Sequence, residues 1–348
     1  MSVASVKAAV SNRIDGLAYR DHIDGFDFLR AIAAFSVVWI HGSDTNTLTK
    51  SFQSFTSFAV PCFIMMSIFL TQHSCYKNSS SKYSSIIIKR IRRLVPSYLA
   101  WSLIYIIFRF AKRSFIDHSS LDVNWFAIIF FGGASYQLWF IPALLLWTIV
   151  FAPLILTIRK TDRLFVTGVL ALFLAYVLFR CGSYIMPKFE IPAGYEMIKY
   201  MLGQTGYVFI GIGLWAIFHA VNKLNITAVK MRFLTIGILA LGLFLISWKI
   251  GIQKEWFVPL YSTIIFIFSI YLLFPSLPLI TKYLSPCSFG IYLSHGIFVE
   301  GFQILTRLLN IDIGRFDITL SIILVSFTCS AVLCIKLMQM RKARWLVV

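Results

Sequence analysis

The sequence predicts an all-α integral membrane protein, a bundle of about ten transmembrane helices with both termini on the cytoplasmic side. Of its 348 residues, 59% are hydrophobic and only 13% are charged, and the mean hydropathy is +0.81. Soluble globular domains carry about 25% charged residues, so that class is excluded. The apolar stretches run for about 15 to 25 residues without period-two alternation, which favours helices over an outer-membrane β-barrel.

A polar leader at residues 1–25 precedes the first apolar run, and no small-residue cleavage pattern follows that run, so we expect no cleavable signal peptide. The main domain is expected to cover residues 26–338, and residues 339–348 to form a basic cytoplasmic tail. A shorter apolar segment at 123–131 should lie at the membrane interface or re-enter. The predicted spans are approximately 26–43, 53–72, 90–110, 137–158, 163–180, 197–219, 232–250, 257–275, 286–305 and 318–338.

The positive charges set the predicted orientation of this bundle. When Lys and Arg residues are assigned to alternate sides of the spans, nearly twice as many fall on the side that holds both termini. The positive-inside rule then places both termini in the cytoplasm. Because the net charge of +18 is spread over short loops, it fits a topology signal, and we expect no nucleic-acid partner.

The first span, residues 26–42, contains ionisable side chains. Arg30 and His41 are eleven residues apart, which in a helix is three turns plus roughly 20° and a rise of about 16 Å. Both therefore lie on one face, and ionisable groups in a span usually point into the bundle or a wet cavity. Asp27 lies three residues before Arg30 and can pair with it. Two interpretations stay open: a functional site, or charges that neutralise each other and extend to the interface.

A basic cluster stands at the start of the third span. Lys89, Arg90 and Arg93 fall within about a turn of one another, and Pro96 follows them. Such a cluster can follow the positive-inside rule and contact anionic lipid. It can equally bind a phosphate-rich cytoplasmic molecule, because Arg and Lys side chains bind phosphate groups well.

Two later stretches add candidate residues. In SFGIYLSHGIF, residues 288–298, the side chains of Ser288, Tyr292 and His295 are spaced i, i+4 and i+7 and share one helix face. They could form a site or only interhelical hydrogen bonds. The stretch LWFIPALLL, residues 138–146, brings Trp139 to the entry of the fourth span, a pattern that alone is more typical of packing and interface anchoring.

Several familiar sites are absent from the sequence. It contains no G-x-S-x-G elbow, Walker loop, H-E-x-x-H pair or G-x-G-x-x-G, which removes the usual support for hydrolase, ATPase, metalloprotease and dinucleotide-binding functions. The six cysteines show no C-x-x-C spacing and are interpreted as small hydrophobic residues, so we predict no metal. Beyond Asp27 and Glu300 the spans hold few acidic residues, which weakens the case for a proton-coupled transporter.

These stretches, taken in order, resemble the membrane acyltransferase family called acyltransferase 3, whose members O-acylate cell-surface sugars. The opening FDFLRAIAAFSVVWIH is similar to the family's LDGLRGIAALLVVLFH, and a second helix, a basic [KR]-R-x-x-R cluster, the LWFLPALL entry and the SFGIYLxH segment follow. The resemblance covers most of the chain. One departure is Ile68, where the family commonly has Gly after Ser67. We expect no additional extracytoplasmic esterase-like domain of the kind that larger relatives carry.

The resemblance implies transfer of an acyl group, most simply acetyl from cytoplasmic acetyl-CoA, to a hydroxyl of a cell-surface sugar or lipid-linked polysaccharide precursor at the bacterial inner membrane. His41 would act as the base for the hydroxyl or carry the acyl group itself, because the unperturbed pKa of histidine suits proton transfer near neutrality. Arg30 would hold a CoA phosphate or the pantetheine arm, or polarise the thioester, with Asp27 fixing it. The implied catalytic residues are His41, Arg30 and His295, and the implied substrate-binding residues are Lys89, Arg90, Arg93, Tyr292, Ser288 and Trp139.

Other classes of protein compete with this hypothesis. A transporter or flippase for a lipid-linked sugar or small anion would also have about ten spans and a basic cavity. A receptor or structural membrane protein would have no catalytic activity to lose on removal of His41. Neither alternative accounts for the ordered Arg, His and SFGIYLxH stretches.

Overall fold

The computed structural model describes residues 23–43, 46–78, 80–117, 124–185, 188, 197–223, 238, 254–271 and 280–347. Within these ranges the chain forms helices joined by turns and contains no β-strand, so the all-α prediction is confirmed. The helices are α1 Asp24–Gly42, α2 Thr47–Thr56, α3 Ala59–Lys77, α4 Tyr83–Lys112, α5 Trp125–Phe131, α6 Phe140–Ile158, α7 Leu164–Ile185, α8 Met197–Gly203, α9 Gly206–Lys223, α10 Lys254–Tyr271, α11 Ser285–Leu308 and α12 Phe316–Gln339. Single π-helical turns extend α4 (Arg113–Asp117) and precede α11 (Ile280–Leu284).

Five helical stretches in the described ranges are long and apolar enough to cross a membrane. The chain is therefore a multi-pass membrane protein by its helices. These stretches are Tyr83–Ile116, Phe140–Ile158, Leu164–Ile185, Ile198–Val221 and Phe316–Gln339. The predicted span at 232–250 and most of the predicted leader lie outside the residues that the structure describes.

Helices α1, α3 and α11 have 19 to 24 residues, but none contains an 18-residue stretch as apolar as those of the five. The sequence explains the difference, since α1 carries Asp27 and Arg30, α3 carries Gln72, and α11 carries His295. These side chains are accommodated because α1 packs against α3, α10, α11 and α12. The polar helices thus pack against one another and against the apolar helices α6, α9 and α12, as expected of ionisable groups in a membrane protein.

Close helix contacts hold α1 in place. A Cβ built on Gly25 would lie 1.8 Å from the backbone oxygen of Ser269 on α10, so only glycine allows the two helices to approach this closely. Phe26, beside it, is buried against Phe69 of α3 and Phe266 of α10, with ring centroids 5.5 and 5.3 Å away. Small residues that let backbones approach are the usual means of packing membrane helices.

Residues 124–139, the described part of the chain just before α6, fold back into the bundle. Helix α5 has only seven residues, in agreement with the prediction that this segment is too short to cross, and it ends at Gly132 with φ of 75°. The following turn is fixed from α4: Arg109 Nη1 donates to the backbone oxygen of Gly133 at 3.0 Å, and Tyr98 Oη accepts from the Gly132 amide at 3.1 Å. This site-bearing loop, residues 132–139, thereby places its own side chains between α1 and α11.

The C-terminal segment packs on the bundle. It is expected as a basic tail from residue 339, and its last part forms a short 3-10 turn, Arg344–Leu346. Ser97 Oγ donates to the carbonyl of Trp345, and Trp101 Nε1 donates to the carbonyl of Leu346 at 2.9 Å. Val347 is completely buried.

Candidate functional site

Six of the ten site residues predicted from the sequence line one cavity of about 460 Å³, named here the basic cavity. It lies between α3, α4, α6 and α11, and α1 contributes Arg30. Among the described residues that line it there are four basic side chains and no carboxylate. The six predicted residues are Arg30, Lys89, Arg90, Arg93, Ser288 and Tyr292.

Within the basic cluster, the side chain of Arg90 points toward α3. Arg90 Nη2 donates to Ser67 Oγ and Thr71 Oγ1, both at 2.6 Å, and to the Ser67 carbonyl at 3.0 Å. Lys89 and Arg93 are exposed and form no ion pair with the part of the chain that the structure describes. Arg90 is therefore held rigidly, while two neighbouring cations remain available to an anionic ligand.

Ile68, where the sequence departs from the family pattern, does not line this cavity. Its side chain is buried on the far side of α3, where a Cβ built on Gly211 of α9 would lie 3.3 Å from it. The larger residue is accommodated by the glycine opposite it. Ser67 keeps its contact with Arg90.

Arg30 is paired as the sequence predicts. Asp27 Oδ1 accepts from Arg30 Nη1 at 3.3 Å and from Ser285 Oγ at 2.6 Å. The carboxylate is buried, whereas 30% of the Arg30 side chain is exposed. Asp27 thus anchors the guanidinium at the edge of the cavity, and Ser285 at the start of α11 joins the two central helices.

The two predicted histidines meet. The rings of His41, at the end of α1, and His295, in α11, are nearly parallel with centroids 5.3 Å apart. The ring of Tyr136, from the site-bearing loop, lies 4.4 Å from that of His41. His295 Nδ1 lies 2.8 Å from the Tyr292 carbonyl, which can only accept, so this nitrogen carries the proton. His295 Nε2 is buried without a hydrogen-bond partner in the described structure, so its lone pair can accept a proton.

A second cavity of about 420 Å³, named here the distal cavity, lies at the other end of α4. Its lining includes Tyr105, Arg109 and Tyr136, and Lys112 Nζ lies 3.7 Å from Glu300 Oε2. From Arg90 to Arg109 the helix rises about 28 Å, close to the thickness of a bilayer core.

The histidine pair lies between the two cavities. Along α11, Ser288 and Tyr292 line the basic cavity, His295 follows, and Glu300 lines the distal cavity. Tyr136 connects the same region to the distal cavity, since it lines that cavity and contacts His41. Neither imidazole lines a cavity itself, so among the described residues the histidine pair stands between the two cavities.

Trp139 is placed apart from the other candidates. It lines neither cavity, and its ring packs against Tyr200 with centroids 6.2 Å apart. The sequence pattern gave no indication of Tyr136 or Gln137, which lie in a turn without helical periodicity. Glu300, an acidic residue inside an apolar span, was the one signal pointing toward the distal cavity.

A comparison with protein families decides what kind of protein carries this site. The profile of the acyltransferase 3 family, described as an acyltransferase domain, matches residues 23–335. The chain belongs to this family of membrane acyltransferases. Membership implies acyl transfer between an acyl donor and an acceptor substrate. Searches of curated proteins and of solved structures return no match.

The acyltransferase offers no metal cluster in its described part, where no three His, Cys, Asp or Glu side chains lie close enough together to bind an ion. Its six cysteines are free. The residues brought together at the site are instead imidazoles, hydroxyls and guanidinium groups. These groups are suited to proton transfer and to the binding of anions.

Proposed function

We propose that this acyltransferase moves an acetyl group from cytoplasmic acetyl-CoA to a hydroxyl of a cell-surface sugar or lipid-linked polysaccharide precursor. The enzyme would lie in the bacterial inner membrane with both termini in the cytoplasm. The observation that carries the proposal is the position of His41 and His295 between two cavities at opposite ends of α4. This arrangement suits a donor that enters from one side of the membrane and an acceptor from the other.

The basic cavity is the proposed donor site. The exposed cations of Lys89 and Arg93 fit the nucleotide phosphates of CoA, and Arg90 supports the wall between them. Arg30, held by Asp27, would bind the pantetheine arm or the thioester. Arg30 and His41 are separated by a rise of about 16 Å, comparable to the reach of an extended pantetheine arm.

The reaction needs a base between the cavities. The acceptor oxygen attacks the thioester carbonyl carbon, and its proton passes to an imidazole of the histidine pair. Breaking the carbon–sulfur bond releases CoA as a thiolate, which takes the proton from the imidazolium to give the free thiol. In the alternative route His41 attacks the thioester carbonyl carbon and CoA leaves as a thiolate. The acceptor oxygen then takes the acetyl group from the acetyl-imidazolium, and its proton passes to the thiolate.

The distal cavity is the proposed acceptor site. Glu300 and Tyr105 offer hydrogen-bonding groups to sugar hydroxyls, while Arg109 and Lys112 supply positive charge. Tyr292 and His295 would orient the acceptor or assist proton transfer where the cavity meets the histidine pair. Ser288 would remain on the donor side.

The test is O-acetylation of surface polysaccharide, measured by NMR in cells that lack the gene and are complemented at matched membrane levels. Wild type should restore the acetyl signal, and His41→Ala and Arg30→Ala should not. His219→Ala is the matched control, since this buried histidine packs against Trp215 away from both cavities. Full restoration by His41→Ala would overturn the assignment. Altered export without altered acetylation would indicate a transporter.

A further inference from the structure

Gln137, in the site-bearing loop, has a side-chain amide whose oxygen is hydrogen-bonded and whose nitrogen is not. Its residue is 1% exposed, and its Oε1 accepts from Ser135 Oγ at 2.7 Å. Its Nε2 is buried and finds no acceptor in the described structure. Leaving a buried donor unpaired is destabilising, so a native protein rarely does so without a functional reason.

The unpaired amide packs against α11 at the residue that follows His295. A Cβ built on Gly296, the residue after His295, would lie 2.7 Å from Gln137 Nε2. The preceding loop residue, Tyr136, contacts the ring of His41. Gln137 thus reaches α11 beside one histidine while its neighbour touches the other.

The amide is also held in a fixed orientation. Tyr292 Oη donates to the backbone carbonyl of Gln137, and the Ser135 hydroxyl holds Oε1. With the oxygen engaged on one side, the N–H groups point to the other side, against Gly296. Donors that are fixed before the reaction stabilise developing charge most effectively, because they need no reorganisation.

We propose that Gln137 Nε2 is a catalytic hydrogen-bond donor to the oxyanion of acyl transfer, an inference that rests on the proposed function. When the acceptor oxygen bonds to the thioester carbonyl carbon, the carbonyl π electrons move onto oxygen and the acceptor proton moves to the imidazole. Gln137 donates to this oxyanion. The intermediate collapses when the carbonyl re-forms, the carbon–sulfur bond breaks and the thiolate takes the proton.

The experiment compares three variants of the full-length protein purified into nanodiscs, with radiolabelled acetyl-CoA as donor and membranes of the gene-deletion strain as acceptor source. Gln137→Met removes the donor at nearly constant volume, and Gln137→Glu keeps an acceptor for Ser135 but supplies no amide N–H. Gln72→Met is the matched control, because Gln72 is fully buried, has both amide atoms unpaired in the described structure and lines neither cavity.

Both Gln137 variants should lose about 100- to 1,000-fold in kcat, the usual effect of removing one oxyanion donor. Their KM for acetyl-CoA should stay within about threefold of wild type. The melting temperature of Gln137→Met should fall by no more than a few degrees, because this variant loses only the hydrogen bond from Ser135 and the unpaired donor contributes nothing to folding. Gln72→Met should turn over like wild type.

The outcomes separate this inference from the proposed function. If wild type turns over acetyl-CoA and Gln137→Met matches it, the oxyanion role is wrong while the acetyltransferase stands. If Gln137→Met and Gln72→Met lose kcat and melting temperature to the same extent, Gln137 has a structural role and the inference fails. If wild type itself consumes no acetyl-CoA, the proposed function falls and this inference with it.

Discussion

At the scale of single residues, Gly296 is the position where one added methyl group should change the site most. The Cβ of an alanine there would lie 2.7 Å from Gln137 Nε2 and 2.9 Å from Tyr105 Oη. Tyr105 lines the distal cavity, and Gln137 directly follows Tyr136, which lines it as well. We expect Gly296→Ala to lower acetyl transfer at least tenfold, measured as polysaccharide acetylation at matched expression.

Gly301 provides the control on the same helix. A Cβ there would meet no atom within 4 Å, and in a helix alanine is favoured over glycine by about 1 kcal/mol. Gly301→Ala should therefore keep its activity, and its melting temperature should rise slightly. Equal activities for the two variants would show that the loop adjusts to the methyl group at Gly296.

Asp27 is expected to contribute stability through two partners. Asp27→Ala leaves Arg30 without its carboxylate, whereas Ser285→Ala removes only one hydroxyl from the same oxygen. Breaking a buried ion pair costs about 3 to 5 kcal/mol, and the cost here should be about half of that because 30% of Arg30 is exposed. By thermal unfolding in detergent, Asp27→Ala should be clearly less stable than Ser285→Ala, and the reverse order would contradict the role of the pair.

Residues with helical spacing could be predicted from the sequence, and residues in turns could not. The eleven-residue interval predicts that Arg30 and His41 share a face of α1, and the structure places Arg30 at the basic cavity and His41 against His295. Tyr136 and Gln137 depend on contacts with Arg109 and Tyr292, which are distant in sequence. No periodicity describes a turn, so their place in the site required the structure.

At the scale of whole helices, the apolar stretches predicted inner and outer helices alike, since α1 and α11 also lie within a few residues of the predicted spans 26–43 and 286–305. Helices α6, α7 and α12 are apolar throughout and coincide with predicted spans. Helix α4 begins at Tyr83, about two turns before the predicted start at residue 90, because exposed polar residues can continue a helix beyond the bilayer. The central helix α11 is recognisable through its SFGIYLSH stretch more than through its hydropathy.

The C-terminal turn should stabilise α11 behind the cavity. Val347 is fully buried against Gly290, where a built Cβ would lie 2.6 Å from the Val347 Cβ. Val347→Ala should cost about 1 to 2 kcal/mol through the two lost methyl groups. The measurement is the melting temperature in detergent. Val332→Ala on α12 is the matched control, since that valine is 46% exposed, and equal melting temperatures would show that the turn contributes nothing.

At the scale of the whole molecule, α4 determines how far apart the two cavities lie. With its π-helical turn it covers Tyr83–Ile116, about 50 Å of helix against about 40 to 45 Å for a bilayer with its headgroups. The basic and distal cavities lie toward its two ends. The proposed function therefore requires that these two ends face opposite sides of the membrane. This orientation depends on the whole helix bundle and cannot be inferred from any single residue.

Cysteine labelling of the two ends tests this requirement. Ser85 and Ser114 are exposed serines near the two ends of this helix, and Ser85 lines the basic cavity. With the six native cysteines replaced, Ser114→Cys should react with a membrane-impermeant maleimide in intact spheroplasts, and Ser85→Cys only in inverted vesicles. Detergent-solubilised protein, in which both should react, controls for thiol reactivity. Labelling of both variants from the same side would contradict a transfer across the membrane, whereas labelling of each in the opposite preparation would place the basic cavity outside and exclude a cytoplasmic donor.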